Sequence, residues 1–270
     1  MYNLLIAGGA ALLGYGLGAW AAGWIAGFVP ALIVFIAAFF LLARRTGKQV
    51  EAIFKLAMEQ LQSGQMAAAR TTMEAALPLG KWQILVEKQV EAQLGGLDYL
   101  EACSMMMQRQ VTASKERFAS AKAHLLKSWN RDWRARAMLA CCQHRENDTD
   151  GAHKTLTDAE GAASSEALFY GVWAYILNEA RRRDEALQVV GRGLKSSPKS
   201  AGLIAVQEAM QNRRKPDFKA FGEPWYQFFP EHIPQEVLIE QARAAGKLPK
   251  NFAANQGFGP PQPHLGGRPR

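Results

Sequence analysis

Between Met1 and Ala43 there is no Asp, Glu, Lys, Arg or His, so all 32 basic and 24 acidic residues fall later in the chain. A water-facing surface cannot be built from such a stretch, and the chain is two materials joined at Arg44. Cysteine is scarce. Cys103, Cys141 and Cys142 are an odd set without framework spacing, which excludes a disulfide-stapled secreted fold and fits a reducing compartment. Proline is nearly missing from residues 46 to 214, where only Pro78 and Pro198 occur. No run there alternates β-branched residues as strands do, whereas Ala, Leu, Met, Glu, Gln, Lys and Arg are abundant. An all-α fold is the consequence. Phosphate loops are also missing: no glycine stretch follows a strand or reads GxxxxGK with Ser or Thr next. Gly191 and Gly193 fall inside a predicted helix, where they suit close packing.

The uncharged run from Leu4 to Ala43 is about 40 residues long. A single helix of that length would extend about 60 Å, twice the thickness of a hydrocarbon core. Two spans fit better. A turn near Ala21 to Gly23 gives two segments of nearly equal length, groups Trp20 and Trp24 at one interface, and leaves Pro30 in the first turns of the second span. Gly14 and Gly18, like Gly23 and Gly27, are four apart, a spacing that lets helix backbones approach in lipid. These glycines suit packing within the hairpin, and equally a homo-oligomer of hairpins. Met1-Tyr2-Asn3 lacks the basic start of a cleaved signal, and the apolar run is too long for one. Arg44, Arg45, Lys48 and Lys55 follow the second span, so the positive-inside rule puts them, and the N-terminus of a hairpin, in the cytoplasm.

Internal repetition organises the rest. In "ALFYGVWAYILNEARRRDEALQVVGRGLKSSPKS", Tyr170, Trp173, Ala174 and Leu177 share one helical face and are followed by Ala186, Val190, Gly193 and Pro198. Leu139, Ala140, Ala152, Leu156 and Ala159 occupy corresponding positions, and Ala140 precedes Ala174 by 34 residues. Leu56, Ala57, Gly64, Ala69, Met73 and Ala76 repeat the pattern near the membrane, with the alanine pair again twelve apart. Small residues belong where the two helices of a hairpin cross, and bulkier ones between hairpins. The order and the period resemble the tetratricopeptide (TPR) repeat family, and with the apolar hairpin the layout is similar to membrane-anchored bacterial TPR-like proteins. The expected architecture is a two-helix transmembrane hairpin over 1–45 and a TPR-like α-solenoid of helix pairs over 46–214. A divergent, lengthened repeat covers 84–132, with Gly95 or Gly96 small in its first helix and Ala119, Ala123 and Leu126 facing inward from its second. An aromatic-rich cap is expected over 215–247 and a disordered Pro/Gly-rich tail over 248–270. "AFGEPWYQFFPE" is expected to fold back on the last helices, the alternative being an exposed partner-binding segment, and a short helix is expected from Pro234 to Ala245.

Cys141, Cys142 and His144 are close in sequence, but no second ligand pair stands at zinc spacing, so packing roles are expected and no cofactor, metal or catalytic residue is assigned. His153 is expected to be a partly covered surface side chain. The charge of +8 admits nucleic acid, lipid or an acidic partner. Basic runs such as Arg181 to Arg183 are not interleaved with stacking aromatics, which argues against nucleic acid and for membrane lipid. The TPR resemblance implies a concave groove for a peptide or helix of a protein partner. By position it would be lined by Phe54, Met58 and Leu61, by Arg134, Cys141, His144 and Arg145, and by Tyr175, Asn178 and Glu179. Phe54, Met58 and Leu61 would form one apolar stripe, while Leu56 and Ala57 face the neighbouring helix. The expected function is a non-enzymatic scaffold or adaptor at the cytoplasmic face of a bacterial inner membrane. The alternatives are a metal-binding or enzymatic helical-repeat protein, which would need the Cys141–His144 group, and an accessory subunit of a membrane transport complex. If Ala174 marks a helix crossing, Ala174→Trp should overpack it, cost about 3 kcal/mol and lower the Tm accordingly. An unchanged Tm would mean that the register is wrong.

Overall fold

The structure, a computed structural model, describes residues 2–82, 85–234 and 237. The helix expected from Pro234 to Ala245 lies almost entirely outside the described residues, and the tail from 248 to 270 wholly so. Among the described residues there are ten α-helices and no strand. The first two, α1 (Tyr2–Ala22) and α2 (Phe28–Gln62), pack together as a hairpin, and both are long and apolar enough to cross a membrane. Gly18 sits under Pro30 and Gly27, and Gly27 under Tyr15 and Ala19, so these glycines are where the two backbones meet. Gly14 packs beside Val34 and Ala31. Gly23 corrects the expected pairing: it has φ +91° and no neighbour within 4 Å of a would-be Cβ, so it makes the turn and packs nothing.

Both ends of the hairpin are tied together at one level. The Asn3 side-chain amide donates to the Thr46 hydroxyl at 3.1 Å, and both residues are buried. The Asn3 N–H donates to the Trp82 carbonyl at 3.3 Å, and the Tyr2 ring meets Trp82 edge-on at 5.2 Å. From there α2 continues without a break into the polar half of the molecule, where Val50 and Ala57 are buried. Leu56 corrects the expectation that it faces a neighbouring helix, since it is 49% exposed. It lies beside Ala57 on a helix that is covered on one side only.

Eight helices follow or extend this hairpin in consecutive pairs. The tail of α2 packs on α3 (Met66–Glu74), α4 (Val86–Met107) on α5 (Val111–Lys127), α6 (Trp133–Arg145) on α7 (Thr149–Ala159), and α8 (Ala167–Glu179) on α9 (Arg183–Ser196), with α10 (Ala201–Gln211) against α9 and α8. The leading helices also touch in sequence order, α4 with α6 and α6 with α8. Ala57 and Ala69, Ala140 and Ala152, and Ala174 and Ala186 are all fully buried. The 84–132 pair departs from the expected register in its second helix. Gly95 is the close-packing position, a Cβ there falling 2.6 Å from Leu125 Cγ. The inward face of α5 is Ser114, Phe118, Ala121 and Leu125, whereas Ala119, Ala123 and Leu126 are exposed. Ser114 and Phe118, rather than small residues in the expected register, set that face.

One turn recurs at five helix ends. Gly64, Arg109, Asn147, Arg181 and Arg213 all have φ between 54° and 77°. The residue after each donates its N–H five residues back, Gln65 to Gln60, Gln110 to Met105, Asp148 to Gln143, Arg182 to Leu177 and Arg214 to Ala209, at 2.8 to 2.9 Å. This satisfies a carbonyl that the end of a helix would otherwise orphan, and it reverses the chain within two or three residues. Arginine in the left-handed region costs about 1–2 kcal/mol, against the roughly 0.5–1 kcal/mol of backbone entropy that glycine would lose. Arg181→Gly should therefore raise stability by about 0.5 kcal/mol, whereas Arg181→Val should lower it. Equal melting temperatures for the two variants would contradict a left-handed Arg181.

Candidate partner-binding groove

Two apolar cores meet on α4. Val86, Val90, Leu94 and Leu97 pack with Val50, Ala57, Ala69, Met73 and Ala76, while Ala92, Tyr99, Ala102 and Cys103 join a larger core that runs to Phe229. At the N-terminal end of α4 this junction leaves an open groove. One cleft of about 500 Å³ lies between α2 and α4, walled by Gly47, Val50, Phe54, Lys55 and Val86. A second of about 380 Å³ adjoins it, walled by Leu85, Lys88, Trp129, Arg131, Trp133 and Arg134. Gln89 lines both. Leu85 is 44% and Trp129 40% exposed, so the floor presents apolar surface to solvent. Asp132 caps α6 by accepting the N–H groups of Arg134 and Ala135, and Arg134 lies over the Trp133 ring at 4.9 Å.

Phe54 and Arg134, two of the residues expected to line a groove, thus line separate clefts that have Gln89 in common. The expected stripe does not hold as a unit. Phe54 and Leu61 are half-buried against the lower core, whereas Met58 is 51% exposed and outside either cleft. Cys141 is a further correction, being fully buried and lining neither cleft. Its thiol is pushed well up by burial, those of Cys103 and Cys142 to about 11 and about 12 for the same leading reason, so all three stay protonated at neutral pH. Among the described residues no group of three His, Cys, Asp or Glu is placed to hold a metal.

Of the remaining expected residues, Glu179 is exposed, whereas His144, Arg145, Tyr175 and Asn178 are partly covered by the chain itself. Tyr175 is ringed by Phe218 at 5.2 Å, Trp225 at 5.4 Å, Phe229 at 4.4 Å and His232 at 5.4 Å. Phe221 wedges where a Cβ on Gly171 or Gly202 would stand, within 2.5 and 2.8 Å of its ring. The Tyr99 hydroxyl donates to the Phe228 carbonyl, and Arg145 bonds Glu231 at 2.6 Å and Tyr99 at 3.3 Å. His144 packs edge-on against Tyr175, and a cleft of about 340 Å³ between Tyr175, Asn178 and Glu179 is walled on its other side by Lys215, Asp217 and Phe218. Trp225, Phe228 and Phe229 are fully buried or nearly so. His153 is partly covered and accepts from Trp173 Nε1 at 3.0 Å.

A polar cluster went unread in the sequence. Asp98 is fully buried and takes hydrogen bonds from Arg70 and Ser120, each at 2.6 Å, and from Arg117 at 3.5 Å. Seven residues earlier on the same face, buried Glu91 meets His124 at 2.5 Å and Lys127 at 3.6 Å. Arg117, Ser120, His124 and Lys127 recur at three- and four-residue steps along α5, and that polar stripe opposite two carboxylates is the signal that could have found the cluster. With both carboxylate oxygens of Asp98 already bonded, the cluster joins α3, α4 and α5.

No protein-family model matches the chain, and no curated protein matches it. The C-terminal segment also carries a titration. Trp225 Nε1 donates to His232 Nδ1 at 3.0 Å, which requires that nitrogen to be unprotonated. Burial lowers the pKa of His232, with Lys219 and Arg145 adding to it against Glu231, and burial and then Arg145 lower that of His144. The folded state thus binds fewer protons than the unfolded chain. This stability is present above the usual histidine value of about 6.5 and is lost as pH falls below it. The Tm should drop on acidification below about pH 6.5, and His232→Gln, which keeps an acceptor but does not titrate, should flatten that drop. An unaltered slope would show that His232 is solvated.

Proposed function

We propose that the protein is a membrane-anchored TPR-like adaptor that holds a protein partner against the cytoplasmic face of a bacterial inner membrane. The anchoring half of this reading is supported by the two apolar helices and by the run of Arg44, Arg45, Lys48 and Lys55 after the second, which favours the cytoplasm for the polar half. The solenoid half is supported by the three buried alanine pairs, by the contacts between successive leading helices, and by the recurring left-handed turn.

The observation that carries the adaptor function is the open groove formed by the Phe54 and Arg134 clefts, which have Gln89 in common. Its floor is apolar, and Lys55, Lys88 and Arg131 on its rim make no ion pair or hydrogen bond among the described residues. Among the described residues Glu51 and Asp132 are the only acids on its walls, so cations outnumber them. An acidic amphipathic helix of a partner fits that combination, with its apolar side on Phe54 and Trp129 and its carboxylates on the rim. The far end, around Tyr175, is already occupied by residues 218–232 and is not offered as a docking surface.

Crosslinking in native membranes followed by mass spectrometry tests the reading. Phe54→Ala with Trp129→Ala should lose the captured partner, since truncated aromatic anchors typically cost about 2 kcal/mol or more of binding. Lys88→Glu with Arg131→Glu should lose it too, while helix content and membrane insertion persist. Retention of every crosslinked protein by both double variants would sink the groove as the binding site.

A further inference from the structure

We propose that the notch where the hairpin meets the polar half of the protein binds the phosphate of an anionic phospholipid headgroup. This inference rests on the membrane-anchoring half of that reading and is independent of the partner-binding half. The notch has a volume of about 310 Å³ and is walled by Asn3, Arg45, Thr46, Gln49, Leu79 and Trp82.

Its frame is rigid and internally satisfied. The Asn3 amide is committed to Thr46, the Thr46 hydroxyl donates to the Leu42 carbonyl at 3.1 Å, and the Asn3 N–H holds the Trp82 carbonyl. The donors left over are the guanidinium of Arg45 and the side-chain amide of Gln49, neither of which has a partner among the described residues. Arg44 and Lys48, alongside, are likewise unpaired. Each of the other four described clefts has a carboxylate on its wall, from Glu51, Glu116, Asp132 or Glu179, and this one has none. An uncompensated cation in a walled notch without acids selects an anion, and two forked donors suit phosphate oxygens.

Position selects the lipid as the source of that phosphate. The 21 residues of α1 extend about 30 Å, the thickness of a hydrocarbon core, so with Trp20 and Trp24 at one interface, Asn3 and Thr46 lie at the other. Trp82, 41% exposed and braced on Tyr2, stands at the depth where indoles anchor to headgroups. Leu42, one turn nearer the apolar end of α2 than Thr46, continues the wall toward the acyl region, which a free phosphate could not use.

The full chain in nanodiscs of phosphatidylcholine, alone or mixed with phosphatidylglycerol, provides the test, with retained lipid counted by native mass spectrometry. Phosphatidylglycerol should be retained in preference to phosphatidylcholine. Arg45→Gln should reduce that retention about fivefold, the effect of one basic residue at an anionic surface. Gln49→Glu, which puts a carboxylate into the notch from an exposed position, should abolish it, whereas Arg44→Gln, just outside the notch, should leave most of it. Equal losses from Arg44→Gln and Arg45→Gln would reduce the site to a diffuse basic collar and overturn the proposal. Undiminished retention in both Arg45→Gln and Gln49→Glu would overturn it as well. Inorganic phosphate added to the detergent-solubilised protein should not raise its Tm; a rise abolished by Arg45→Gln would make the notch a soluble-anion site and overturn the lipid assignment.

Discussion

The polar half of the protein is built outward from α2, which runs for 35 residues, about 52 Å, from apolar surface to buried core without a break. An unbroken helix without an internal proline or bulge bends only gently, so the apolar hairpin and the first core are joined stiffly. Pro30 does not interrupt it, because it lies in the first turn, where no intrahelical partner is lost. The brace formed by Asn3, Thr46, Tyr2 and Trp82 then closes the hairpin against the polar half. The groove and the notch sit next to this junction and share its rigidity.

The second organising element is α4, the helix that contributes to both apolar cores. Its buried face mixes Leu94, Leu97 and Tyr99 with Glu91 and Asp98, so its register is constrained by charge as well as by volume. A buried carboxylate is tolerable only when its oxygens are bonded, and Asp98 meets that condition through donors from α3 and α5. A turn of α4 in either direction would separate Asp98 from Arg70 and expose Leu94. The cluster therefore specifies how the pair α4–α5 docks on the pair formed by the tail of α2 and α3.

At the other end, aromatic burial does the equivalent work. Residues 218–232 lie over α8 and α10 because Gly171 and Gly202 leave room for the Phe221 ring, and because Tyr175 offers a face to several rings at once. The Arg145–Glu231 pair and the Tyr99–Phe228 bond extend that contact to α4 and α6. A surface that a bare helical array would present to partners is thus part of the core. The accessible groove is displaced toward the apolar hairpin.

Several features were legible without coordinates because they depend on neighbours in sequence. The absence of charge before Arg44, the turn near Gly23 and the helical periodicity around Ala140 and Ala174 are local properties, governed by solvation and by the 3.6-residue turn. The inward face of α5 was misjudged because small-residue spacing alone did not reveal that Ser114 and Phe118 would be covered. The left-handed arginines were invisible for a similar reason, since Arg109, Arg181 and Arg213 carry none of the usual preference for that conformation. Of the residues expected to form a single groove, sequence position identified Phe54 and Arg134 as exposed to one cleft system, but it could not show that Tyr175 and Arg145 are covered from more than forty residues away. Sequence by itself determined which segments avoid water and which form helices, because those preferences are set within a few residues. Tertiary structure alone decided which helix faces stay open, because that depends on what the rest of the chain places against them.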